Sequence, residues 1–98
     1  MKNGQKKELA KMNRRVKTLQ RQLGKLGPVM RGSVVIIGTR NKQPYFSLNK
    51  SKRTCLIYLG KKREDKAREY SRNYKKLLEI VEEMTIINMT LLKENAGL

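Results

Sequence analysis

Histidine and tryptophan are absent from this sequence, and cysteine, phenylalanine and aspartate occur once each, as Cys55, Phe46 and Asp65. Without histidine there is no imidazole general acid or base, and no Ser-His or Cys-His nucleophile pair can form. One cysteine and no histidine exclude a Cys/His zinc site within one chain. A lone cysteine also excludes an internal disulfide, whereas secreted chains of this size usually carry several. Carboxylates are scarce too. Residues 1–63 contain only Glu8, and nucleases that hold divalent cations need several converging acids. The pair Glu82-Glu83 reads as a solvated helix face. Neither a phosphate-binding Gly-x-x-x-x-Gly-Lys loop nor a dinucleotide fingerprint occurs. There is no apolar run of about 18 residues for a membrane span, and no apolar stretch near the start for a signal peptide. A cytoplasmic, reducing setting is expected, with no membrane partner, no cofactor, no metal and no enzymatic activity.

Positive charge is plentiful. In 98 residues, 24 Lys and Arg face 8 Asp and Glu, for a formal net charge of +16. Small soluble domains usually carry about 2–8 charges net, and self-repulsion at a higher level costs folding free energy that a polyanion removes on binding. The excess is also uneven. Residues 1–62 hold 17 bases against Glu8 alone, while residues 63–98 hold seven bases and seven acids. Such asymmetry is expected of a phosphate-binding surface joined to a neutral assembly element.

Apolar spacing assigns the elements. Leu9, Met12, Val16, Leu19, Leu23 and Leu26 recur at alternating intervals of three and four, an a/d heptad pattern. It predicts a helix over 5–26 that stops at Gly27-Pro28, because proline disfavours helical geometry in the residue before it. Three short strands are expected over 33–60: the β-branched run Val34–Ile37, then Pro44–Leu48, then Thr54–Leu59. The polar turns at 39–43 and 49–53 suit antiparallel hairpins. In the second strand Phe46 and Leu48 share one face and Tyr45 and Ser47 the other. A long helix is expected over 62–95, about 50 Å at 1.5 Å per residue, with Ala67, Tyr70, Tyr74, Leu77, Leu78, Ile80, Val81, Met84, Ile87, Leu91 and Leu92 on its apolar stripe and Asn88 on the heptad track. A three-stranded sheet cannot cover that length, so the N-terminal helix of the same chain or of a partner is expected along its second half. The predicted fold is α+β, a single domain over 1–98 in the order α-β-β-β-α, with a three-stranded antiparallel meander and helices packed as a coiled coil.

Bases fall into three groups. The candidate phosphate contacts are Lys11, Arg14, Arg15 and Arg21 on the first helix, Arg40, Lys42, Lys50, Lys52 and Arg53 in the turns, and Lys61, Lys62 and Arg63 at the start of the long helix. Cations at a helix N-terminus oppose the helix dipole, a conflict that bound phosphate would resolve. Tyr45 and Tyr58 are candidates for stacking on bases or sugars, against a competing role in cross-strand packing.

Residues 29–95 resemble a family of small bacterial and archaeal proteins of unknown function encoded near transposases and other mobile elements. The resemblance rests on Gly32-Ser33, on Pro44-Tyr45-Phe46-Ser47-Leu48, on the basic turn before the third strand, on Asn73-Tyr74-Lys75-Lys76-Leu77, and on the helix ending near Asn88-Met89-Thr90-Leu91-Leu92. Many such proteins carry a paired-cysteine loop where this chain has Thr39–Gln43, so a metal role for that loop does not carry over. The resemblance implies a mobile-element context and no catalytic residue.

The function expected is non-enzymatic nucleic-acid binding, DNA ahead of RNA, by an accessory or architectural protein of a mobile element or phage acting as a homodimer. Two alternatives stay open: an RNA-binding or ribosome-associated protein, and a coiled-coil adaptor for an acidic protein partner.

Overall fold

The computed structural model describes residues 3–94. The elements are α1 (Asn3–Lys25), β1 (Ser33–Ile37), β2 (Gln43–Lys50), β3 (Arg53–Tyr58) and α2 (Gly60–Glu94). The fold is thus α+β in the order expected. The end predicted for the long helix, residue 95, lies outside the described residues. The chain forms two compact units, one of residues 27–76 and one that combines residues through 26 with those from 77 onward.

The central unit is a meander in the order β1-β2-β3, antiparallel throughout. Register places Phe46 opposite Val34 and Ile57, and Leu48 opposite Cys55. Of this set Phe46, Val34 and Leu48 pack toward the first half of α2, where Phe46, Leu59 and Ala67 form the buried cluster with Met30, Val34 and Leu48 around it; Cys55 and Ile57 remain exposed. The segment between α1 and β1 is tied to α2 by polar bonds as well. Met30 N donates to the Tyr70 carbonyl at 3.1 Å, and the Ser71 hydroxyl donates to the Gly32 carbonyl at 2.7 Å. Gly32 has φ of 141°, and a Cβ there would stand 2.6 Å from the Ser47 carbonyl oxygen and 2.7 Å from the Phe46 ring. Only glycine fits.

Pro44 sits in the middle strand and is buried, where proline is normally excluded because it cannot donate to the ladder. Its carbonyl accepts from Leu59 N at 3.0 Å. In an antiparallel pair the reciprocal bond would run from residue 44 to the Leu59 carbonyl, and proline has no hydrogen to give. Arg63 Nε donates to that carbonyl instead, at 2.8 Å. A side chain from the first turn of α2 thereby supplies a donor that the strand lacks.

The second hairpin turns on two residues, Ser51 and Lys52, both in left-handed backbone with φ of 53° and 64°. A two-residue loop with positive φ at both positions is a type I′ turn, which normally takes Asn-Gly. The five-residue turn expected at 49–53 is therefore shorter in fact. Ser-Lys carries no signal for left-handed geometry, so the flanking residues Asn49, Lys50 and Arg53 read as loop although they pair in the ladder.

In the other unit α1 lies with the second half of α2. The five heptad residues within α1 and Leu26 just beyond it are buried or half-buried, and Leu19 is only 1% exposed. From α2 the inward positions are Leu77, Ile80, Met84, Ile87 and Leu91, with Ile80 buried. Arg15 makes a two-bond pair with Glu83, at 2.6 and 2.9 Å. The apolar stripe expected on α2 was too broad. Leu78, Val81 and Leu92 are exposed, because a stripe at intervals of three and four from Leu77 passes them by. Asn88 is exposed for the same reason and does not occupy the packed track.

Candidate nucleic-acid interface

The twelve basic residues singled out by sequence are all exposed. Nine of them, Lys11, Arg14, Arg40, Lys42, Lys50, Lys52, Arg53, Lys61 and Lys62, make no side-chain hydrogen bond or ion pair among the described residues. The other three are partly engaged. Arg15 is held by Glu83, which lowers the pKa of the Glu83 carboxyl and raises that of Arg15, the hydrogen bond being the larger cause in each. Arg21 Nη2 donates to the Thr18 hydroxyl at 3.2 Å. Arg63 serves the Leu59 carbonyl. Each unit therefore has its own set of cations, those of α1 in one and those of the hairpins and the α2 start in the other.

The sheet adds a surface between its cationic ends. One face carries Phe46, which is buried in the cluster with Ala67 of α2, while Ile36 and Ile57 on the same face stay exposed. The other face carries Val35 and Ile37 from β1, Tyr45 and Ser47 from β2, and Thr54, Leu56 and Tyr58 from β3, by the alternation of the strands and their register. Ile37, Leu56 and Tyr58 are each more than 40% exposed. Tyr45 and Tyr58 are direct cross-strand partners, packed edge to face with ring centroids 5.5 Å apart. The Tyr58 hydroxyl donates to Gln43 Oε1 at 3.1 Å. The two aromatic candidates thus meet and hold each other's orientation, leaving Tyr58 accessible and Tyr45 half-buried.

Comparison with family models, curated proteins and solved structures gives no match. What the surface can bind is therefore read from its own chemistry.

The hairpin tip is the most demanding part of that surface. Lys50 and Arg53 are directly opposed across the β2–β3 ladder, and like charges so placed are destabilising. Lys52 between them sits in left-handed backbone, which is strained for a residue with a side chain. Three cations in four residues, with no acid paired to them, form a point of concentrated positive potential. At the first turn of α2, no acidic residue offsets Lys61 and Lys62.

Arg68, Arg72 and Lys75 are not among the contacts chosen from sequence, although Arg68 and Arg72 belong to the basic group at the start of the long helix. They lie at i, i+4 and i+7 on α2, one stripe of the helix, and they line a pocket with Ser33 and Ser71. Helical spacing alone could have grouped the three cations. Ser33 could not have been added, since only the fold brings β1 to that stripe.

No described helix is long and apolar enough to cross a membrane, and no group of three or more His, Cys, Asp or Glu that could hold a metal ion occurs among the described residues.

Proposed function

We propose that this protein is a non-enzymatic nucleic-acid-binding protein that holds the phosphate backbone with its exposed cations and lays its open sheet face against the strand or groove. The observation that carries the reading is the sheet face bearing Tyr45, Leu56 and Tyr58, with Arg40 and Lys42 in the turn at one end and Lys50, Lys52 and Arg53 at the other. Cations neutralise phosphates and release counterions, while aromatic faces tolerate any base. Antiparallel strands also fit nucleic-acid grooves. Duplex DNA is the ligand we put first, in the mobile-element context implied by the resemblance over residues 29–95. The test is a salt titration of binding to duplex DNA, single-stranded DNA and duplex RNA of equal length. A steep slope, about 0.9 per phosphate on duplex DNA, with tightest binding to duplex DNA supports the reading. Tightest binding to duplex RNA moves the protein to the RNA class, and weak binding to all three at physiological salt removes nucleic acid from the account.

Self-association is proposed alongside it, for a separate reason. Leu78, Val81, Ile86, Met89 and Leu92 of α2 are all exposed, at 46–69%. Residues 77–92 contain no Lys or Arg and three glutamates, so this is where two chains of charge +16 can approach without repulsion. Sedimentation of the intact chain should show a dimer, and Met89→Lys should shift it to monomer. A wild-type monomer at all accessible concentrations refutes this.

A further inference from the structure

We infer that the pocket between the start of β1 and α2 is a site for one phosphate group. The inference rests on the nucleic-acid reading above, since it takes the phosphate to belong to a nucleic-acid strand. The pocket encloses about 160 Å³ and is lined by Ser33, Val34, Arg68, Ser71, Arg72 and Lys75. All six residues belong to the central unit.

Its walls are fixed by bonds already described. The Ser71 hydroxyl, 8% exposed, donates to the Gly32 carbonyl and fastens the chain entering β1 to the helix. Gly32 itself lies tight against Ser47 and Phe46 of β2. Arg68 is oriented by Glu64, with Nε 2.9 Å and Nη2 2.7 Å from Oε2. That arrangement engages two of the five N–H donors of the guanidinium and leaves the rest available. Arg72 and Lys75 make no side-chain bond of their own among the described residues. Three cations and one carboxylate leave two positive charges around a small concavity with unengaged donors. A phosphate group has the size, the acceptor oxygens and the charge to fill it, and arginine is suited to bidentate contact with its oxygens. The phosphate can be a diester within the strand or a monoester at its end. The latter carries about −1.5 to −2 at pH 7, nearer the charge of the site.

The experiment compares the intact wild-type chain with Arg72→Gln/Lys75→Gln, both positions being exposed on the helix, and with the charge-matched control Lys50→Gln/Lys52→Gln. The ligands are DNA duplexes with a 5′-phosphate or a 5′-hydroxyl end. Loss of one phosphate contact should lower the salt slope by about 0.9 and weaken binding about five-fold at physiological salt. A loss confined to the 5′-phosphorylated duplex assigns the pocket to a strand end, and an equal loss on both assigns it to the backbone. Amide shifts on adding inorganic phosphate should centre on Ser33, Ser71, Arg72 and Lys75 in the wild type and vanish in the pocket variant but not in the control. If the wild type binds DNA and the pocket variant matches it in affinity, slope and phosphate shifts, the pocket is refuted and the general reading stands. If the wild type binds no nucleic acid, both fall together.

Discussion

Replacing the β2–β3 turn by the residues its geometry prefers, Ser51→Asn/Lys52→Gly, separates stability from binding at one place. Ser51 and Lys52 both hold positive φ, a region that costs a residue with a Cβ roughly 1–2 kcal/mol relative to ordinary helical backbone. Asparagine tolerates it and glycine is unstrained there. Glycine also loses more backbone freedom on folding, which returns about 0.5–1 kcal/mol. Removing Lys52 relieves its repulsion with Lys50 and Arg53 as well. A net gain of about 1 kcal/mol is expected, which for a chain of this length corresponds to about 4–8 °C in Tm. The same change removes one cation from the tip. If Lys52 contacts a phosphate, the salt slope of binding falls by about 0.9, so the variant is more stable and binds less well. Urea denaturation and a salt titration on the same preparation read both quantities. A variant no more stable than the wild type refutes the strain argument. A stabilised variant with unchanged affinity and slope refutes the placement of Lys52 on the ligand. Ser51→Asn alone, which keeps every charge, should gain stability without loss of binding.

Other changes test other parts of the fold. Gly32→Ala drives a Cβ into the Ser47 carbonyl and the Phe46 ring, and thermal denaturation should show a loss of at least about 2 kcal/mol, in the range of severe backbone and packing errors. Arg63→Gln shortens the side chain that donates to Leu59 and should cost about 1 kcal/mol; denaturant titration measures this, and a drop in salt slope without a stability loss would make Arg63 a ligand contact instead. Leu19→Ala empties the most buried position of the other unit and should cost about 2–4 kcal/mol by the same measurement. Glu83 has a carboxyl held below its ordinary value by Arg15. Its contribution to stability is therefore present above the usual carboxylate range and is lost as pH falls through the lowered value. Glu83→Gln should thus lower stability slightly at pH 7 and match the wild type in strong acid, followed by denaturation across pH.

Most of the architecture was legible because its signals are periodic. The intervals of three and four from Leu9 to Leu26 named the packed face of α1 residue by residue, and the β-branched run Val34–Ile37 located β1. Legibility failed where one residue's role depends on a distant neighbour. Arg63 reads as a free cation until Pro44 is seen across from Leu59. Ser33 reads only as the opening of a strand until the fold sets it in one pocket with Arg72 and Lys75. Leu78 and Val81 look like core because an apolar residue next to a packed stripe carries no mark of which side of the helix faces water. The candidate site was legible as charge, since exposed lysines need no fold to be exposed. Its shape was not.

The pairing of α1 with the far half of α2 has a consequence for how the chain acquires its structure. Arg15 and Glu83 are 68 residues apart, so at synthesis rates of roughly 5–20 residues per second the partner of α1 follows it by roughly 3–14 s. Most of the stability of an amphipathic helix in a protein comes from packing its apolar face. The central unit is contiguous in sequence and can close first. Until α2 is finished, α1 is a polycation whose apolar stripe has nothing to cover it, emerging beside the anionic surface of the ribosome. The first polyanion this protein meets is therefore the machine that makes it.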